Sequence, residues 1–193
     1  MRQPTKYKIG FDFDGVIWNA NVVLCDIIHK TLKIEIRPKD VIEYSIEKLL
    51  GITKEEFNKV VDELISVEKT CSINPFPGVL EFLKDWYNLG NNIHIITARW
   101  DEEPLHLFFE QHLSDIPICI HRASPKGGII NELGLTHFVD DHLKVIVELA
   151  NIGVQPIIYD QPYNQISERS LLNQIAWRVF SWADIRKLFI EGG

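Results

Sequence analysis

Five short apolar runs, at residues 9–13, 93–98, 116–121, 137–139 and 154–159, alternate with stretches of helical periodicity at 78–88, 104–113, 126–133 and 143–151. The runs are rich in Ile, Val and Phe, as strands covered on both faces require, and strand–helix alternation implies crossover connections. The chain therefore reads as an α/β fold built on a doubly wound parallel sheet. In such sheets ligands bind beyond the carboxyl ends of the strands. With 193 residues, 46% of them hydrophobic, the chain can bury one substantial core and still carry a modest insertion.

One segment breaks the alternation. Residues 19–74 hold no convincing strand and read as about three helices, including 22–32 and 54–67, a long connection after a first strand. Thr53 followed three residues later by Glu56 predicts a capping box at the start of the second of these. Asn74-Pro75-Phe76-Pro77-Gly78 then breaks helix and marks a return to the main body. The expected organisation is a core of residues 1–18 and 75–193 and a helical cap of residues 19–74. No internal repeat or low-complexity tract interrupts it.

The formal net charge of -7 comes without any Lys/Arg run, which argues against binding a nucleic-acid polymer through its backbone. An anionic ligand would then need a local positive site, most simply a metal. Cys25, Cys71 and Cys119 form no CxxC pair and are odd in number, so they read as packing thiols of a reducing compartment. No apolar stretch approaches the roughly twenty residues of a membrane helix, and residues 1–8 are polar. A cytoplasmic protein without membrane contact is the expectation.

Chemistry concentrates where strands end. Ile9-Gly10-Phe11-Asp12-Phe13-Asp14-Gly15 is an apolar run closing on two carboxylates one residue apart, which strand alternation would place on one side. A solvated turn is the plainer alternative, but two acids leaving a buried strand repel unless a metal or a shifted pKa offsets the repulsion. Asp140-Asp141 follows the run ending at Val139 and on its own would equally suit a helix N-cap. Together the two pairs offer oxygen ligands for one hard cation, Mg²⁺ rather than Zn²⁺, because no His/Cys cluster is present. Thr97, followed by Ala98 and Arg99, and Lys126, near a helix start, stand at two further strand ends and suit an oxyanion such as phosphate. Singly, each reads as readily as a structural Thr or a solvated Lys.

The order DxD, Thr after a strand, Lys, and DD after a strand resembles the haloacid dehalogenase superfamily over residues 9 to about 160, with its Rossmann-like core. The resemblance implies that Asp12 attacks phosphorus to form an aspartyl-phosphate and that Asp14 serves as general acid, then base. It also implies that Thr97, with Ala98, and Lys126 bind the phosphoryl group. Mg²⁺ would be held by Asp12, by the backbone carbonyl of Asp14 and by Asp140, while Asp141 orients a bound water or Lys126. Members that cleave carbon–halogen or carbon–phosphorus bonds lack the second Asp, so Asp14 points to phosphoesters.

The helical insert, the Pro75-Phe76-Pro77-Gly78 return and the tail Tyr159-Asp160-Gln161-Pro162-Tyr163-Asn164 with Arg178 and Trp182 further resemble the 5′(3′)-deoxyribonucleotidase group. That implies a small phosphorylated metabolite as partner, a nucleoside monophosphate, and leaves a homodimer open. A loop leading to a final helix is the plainer reading of the tail. The family's Thr is commonly followed by Ser, whereas Ala98-Arg99-Trp100 follows Thr97 here, and Arg99 suits either phosphate or a neighbouring carboxylate. Trp18 would stack on a base or pack at the hinge. His142, beside the acids, would tune Asp141 or simply start a helix. The alternatives are a phosphatase for a sugar phosphate or other small metabolite, and a non-catalytic module that binds a phosphorylated ligand.

Overall fold

A computed structural model describes residues 7–165 and 174–191. The outer ends of the expected core, residues 1–6 and 192–193, and residues 166–173 within it lie outside that description.

The five expected strands are present: β1 (Ile9–Phe11), β2 (Ile93–Thr97), β3 (Ile118–Arg122), β4 (His137–Asp140) and β5 (Gln155–Tyr159). A sixth, β6 (Trp177–Val179), was not anticipated, because three residues leave no measurable alternation and it pairs along one edge with β5 only. All pairings are parallel, and the order is β3-β2-β1-β4-β5-β6. The chain winds outward from β1 in one direction and then from β4 in the other. The carboxyl ends of β1 and β4 therefore flank the point where the winding reverses, the crevice where such sheets take ligands.

Strand alternation divides the core between the two faces. Along β2 and β4, Ile95 and Val139 join the large cluster with Phe82, Trp86 and Trp182, whereas Ile96 and Phe138 join Ile130 and Leu149 on the other side. Helices α5 (Val79–Asn88) and α6 (Glu103–Leu113) supply the first face, and α7 (Gly127–Glu132) and α8 (Leu143–Asn151) the second. Gly10 is needed in β1: a Cβ there would lie 2.6 Å from Leu135 Cδ1 and 2.9 Å from Phe138 Cδ2. Edge strand β3 is only partly covered and Cys119 on it is exposed, so this cysteine is not the packing thiol expected, while Cys25 is buried.

Between β1 and α5 the described chain forms helices joined by irregular turns and no named strand: α1 (Ala20–Leu32), a 3-10 turn at Pro38–Asp40, α2 (Ile46–Leu50), α3 (Lys54–Leu64) and α4 (Val67–Thr70). The Thr53–Glu56 capping box forms as predicted. Helix α3 stops at Leu64, short of the expected 67, because Ser66 caps a new helix by accepting the Lys69 N–H. The two ends of this segment lie side by side. Phe76 N–H donates to the Ile17 carbonyl at 2.8 Å, and the Trp182 indole, from α9 (Trp182–Arg186), donates to the Val16 carbonyl at 2.9 Å. A segment that leaves and returns at one point lengthens the chain without breaking the sheet order. Among the described residues no helix is long and apolar enough to cross a membrane.

Candidate active site

Strand β1 ends earlier than its apolar run suggested, and the two acids beyond it meet different cations. The Asp12 N–H still reaches the Val139 carbonyl at 2.9 Å, but the Phe13 carbonyl accepts from Ile17 and Trp18 N–H in a turn. Asp12 turns inward to Lys126, whose Nζ lies 2.7 Å from Asp12 Oδ1 and 2.7 Å from Asp140 Oδ2. Asp14 lies in the loop, and its carboxylate faces Arg99 instead. Both carboxylates still border one cavity, as strand alternation predicts, but each meets a different cation.

Asp12, Asp140 and Asp141 bring carboxylate oxygens within 4.8 Å of one another, all three buried. Asp140 has no exposed surface and accepts the His142 N–H at 2.8 Å, so it is neither a solvated acid nor the N-cap of α8. That cap is His142, whose Nδ1 accepts the Lys144 N–H and whose ring meets Tyr44 edge-on. Asp141 accepts a hydrogen bond from the Tyr163 hydroxyl, and Asn164 Nδ2 donates to the Asp141 carbonyl at 2.9 Å. The tail also closes over the β1 turn: Gln161 Nε2 donates to the Gly15 carbonyl at 2.6 Å, and Asn21 Nδ2 donates to Gln161 Oε1 at 3.2 Å. Arg178 fixes this tail by donating to Asp160 and to Asn164 Oδ1. Gly15, at φ +78°, has no room for a side chain, since a Cβ would overlap Asp141 Oδ2 and lie 2.9 Å from Tyr163 Oη.

The electrostatics follow from burial. Desolvation pushes the Asp12 carboxyl up to about 7, Lys126 opposing it and Asp140 and Asp14 adding to it. Asp141 rises well above the usual carboxylate range for the same first reason, with Asp140 and Asp12 contributing. Burial alone would lower the Lys126 ammonium, but Asp12 and Asp140 outweigh it and raise its pKa. Three buried carboxylates facing one ammonium leave excess negative charge that a divalent cation would neutralise, and an all-oxygen donor set suits Mg²⁺. The residues fit such an ion through Asp12, Asp140 and Asp141. The Asp14 side chain is not one of this group, being held by Arg99.

The remaining candidates divide. Ala98, Lys126, Asp12 and Asp14 line a cavity of about 640 Å³ above the strand ends, within the usual range for small-molecule sites. Thr97 ends β2 fully buried, its Oγ1 accepting the Arg99 N–H at 3.1 Å, which sets the loop after the strand. Arg99 does not reach toward the cavity: it is buried, with Nε and Nη2 on Asp14, which decides its two readings in favour of the carboxylate. Trp18 likewise shows no surface. Its ring stacks on Phe13 with centroids 6.1 Å apart and an interplanar angle of 15°, so hinge packing replaces the base-stacking role. The far wall of the cavity comes from the helical segment: Leu24, Val41, Ile46, Phe57, Val61 and Leu64. Neither this wall nor the support of Asp141 by Tyr163 and Asn164 is visible in local sequence, although both tail residues stand in the Tyr159–Asn164 stretch.

Comparison with known proteins agrees with this geometry. The haloacid dehalogenase-like hydrolase family matches residues 9–116. A nucleotidase of Clostridium acetobutylicum is 25% identical over 181 residues, covering 92% of this chain and 91% of its own. Among solved structures, a predicted phosphoglycolate phosphatase from Haemophilus somnus superposes with a TM-score of 0.67 at 21% identity, over 95% of this chain and 98% of that one. A hydrolase of the same superfamily from Deinococcus radiodurans, solved with bound phosphate and sodium, superposes with a TM-score of 0.67 at 14% identity, over 94% of this chain and 93% of that one. A buried Asp–Lys–Asp bridge at the winding reversal of a parallel sheet and a family match over more than half its length place this chain among the haloacid dehalogenase-like hydrolases.

Proposed function

We propose that this hydrolase is a Mg²⁺-dependent phosphomonoesterase acting through an aspartyl-phosphate on Asp12, with nucleoside monophosphates as substrates and residues 19–74 as the cap over them. The observation that carries the reading is the buried bridge in which Lys126 contacts both Asp12 and Asp140 at 2.7 Å beside Asp141. A nucleophilic carboxylate must approach a phosphate dianion, and this arrangement surrounds it with the ammonium and with the acids that would hold a cation.

Asp12, Asp140 and Asp141 would hold Mg²⁺, which when bound supplies positive charge to the phosphoryl oxygens. In the first step an Asp12 oxygen forms a bond to phosphorus as the bond to the leaving oxygen breaks, and Asp14 gives that oxygen its proton. In the second, Asp14 takes a proton from water as the water oxygen bonds phosphorus and the Asp12–phosphorus bond breaks, releasing inorganic phosphate. Lys126 holds Asp12 in place throughout, and the main-chain groups at Thr97 and Ala98 orient the phosphoryl group.

Substrate class follows from the cavity wall. Along the helical segment the six apolar side chains named above carry no charge to meet a second phosphate or a carboxylate on the leaving group, and burying an unpaired charge against them is costly, although Lys144 also borders the cavity. Phe57 and Tyr44 instead offer flat apolar surface, which suits a nucleobase better than a carboxylated or bisphosphorylated metabolite. The nucleotidase from Clostridium acetobutylicum, aligned over 92% of this chain, supports that choice.

The test is phosphate release from ribo- and deoxyribonucleoside monophosphates, sugar phosphates and phosphoglycolate, with Mg²⁺ or excess EDTA, for wild type and Asp12→Ala. Release that needs Mg²⁺, disappears in the variant and favours nucleotides supports the proposal. Release indifferent to EDTA or to the variant refutes the mechanism, and a preference for phosphoglycolate refutes the substrate class.

A further inference from the structure

Arg99 is buried beside the site, and its guanidinium meets Asp14 and not the cluster of Asp12, Asp140 and Asp141. Its Nε donates to Asp14 Oδ2 at 2.8 Å and its Nη2 to Asp14 Oδ1 at 2.6 Å, a planar two-point grip. Its remaining nitrogen, Nη1, donates to Thr70 Oγ1 at 2.7 Å, and Thr70 is wholly buried at the end of α4. Phe13 and Trp18 flank the guanidinium, each ring centroid 5.0 Å from its central carbon. With a side chain only 3% exposed, Arg99 has no second place to go, whereas Asp14 is one-third exposed and borders the cavity.

We propose that Arg99 is a positioning residue that aims the Asp14 carboxyl at the leaving oxygen, and that Thr70 ties this aim to the helical segment that walls the cavity. The inference rests on the acid–base role given to Asp14 above. Asp14 lies beyond the end of β1 and is followed by Gly15 at φ +78°, so strand geometry does not fix its direction. Proton transfer needs heavy atoms about 2.6–3.2 Å apart, and a freely rotating carboxyl would meet that only part of the time. The fork supplies the missing constraint in two dimensions, and the third hydrogen bond fixes the fork itself. A lysine keeps the charge but cannot hold both oxygens and Thr70 in one plane.

Leaving-group dependence separates aiming from folding. An alkoxide leaves only with a proton, so nucleoside 5′-monophosphates need a well-placed acid, while the phenolate of p-nitrophenyl phosphate leaves without one. The measured quantity is kcat/KM, which covers the steps through departure of the alcohol, for wild type, Arg99→Lys and Thr70→Val with Mg²⁺. Arg99→Lys is expected to lower kcat/KM about 100-fold on nucleotides and no more than about threefold on the aryl ester, the size of a lost general acid. Thr70→Val should show the same selectivity in smaller measure. Equal losses on both substrates, or none on either, overturn the inference while leaving the hydrolase assignment intact. If Arg99→Lys does not fold, the near-isosteric Thr70→Val decides by the same ratio. A wild type that releases no phosphate from either ester with Mg²⁺ refutes the proposed function, and this inference falls with it.

Discussion

The buried nucleophile makes metal-free stability fall as pH rises. Burial moves the Asp12 carboxyl from 3.8 to about 7. Between those values the folded chain keeps a proton that the unfolded chain has released, so the contribution is fully present below the unfolded value and lost as pH climbs through the folded one. The difference between 3.8 and about 7 amounts to roughly 4 kcal/mol, and Asp12 is buried enough, at 7% exposed, for little of it to be screened by water. Urea denaturation in EDTA from about pH 4 to about pH 8 measures this, with Asp12→Asn as the reference that cannot titrate there. The histidines lowered by burial remain in the variant and largely cancel in the difference, whereas Asp141, which Asp12 helps to raise, cancels only in part. Wild-type stability relative to the variant should fall by roughly 4 kcal/mol across the range, and saturating Mg²⁺ at the upper end should restore it by binding the folded form. A flat difference, or one that grows with pH, would show that Asp12 ionises as readily folded as unfolded and would refute the reasoning.

Tyr163→Phe removes the donor to buried Asp141 and should cost about 1–3 kcal/mol in urea denaturation, with Mg²⁺ affinity by calorimetry down about 10- to 100-fold. Gly15→Ala combines φ +78° with a Cβ pressed on Asp141 and Tyr163, so a loss of at least about 1–2 kcal/mol and of Mg²⁺ binding is expected; wild-type stability would contradict the packing described. Phe57→Ala opens the apolar wall and should raise KM for nucleoside monophosphates about tenfold with kcat little changed, and an unchanged KM would place the base elsewhere.

Legibility in the sequence tracked how local each signal is. The five apolar runs, the Thr53–Glu56 box and the helical character of the segment before Pro75 are written in neighbouring residues, and all are found in the structure. Strand β6 was missed because its position is set by pairing with β5 and not by its own three residues. Arg99 and Trp18 were ambiguous for a related reason. A guanidinium suits phosphate and carboxylate alike, and only the packing that buries Arg99 against Asp14 determines which one it meets.

The sequence by itself determined that acids stand at the ends of two buried strands and that Thr97 and Lys126 stand at two more, because residue type and strand periodicity are properties of the chain. Tertiary structure alone decided who faces whom. Reversal of winding between β1 and β4 brings Asp12 and Asp140, 128 positions apart, onto a single ammonium. The return of the chain at Asn164 places Tyr163 on Asp141. Burial at that convergence then sets the charge balance, since desolvation depends on everything packed around a group and not on its neighbours in sequence.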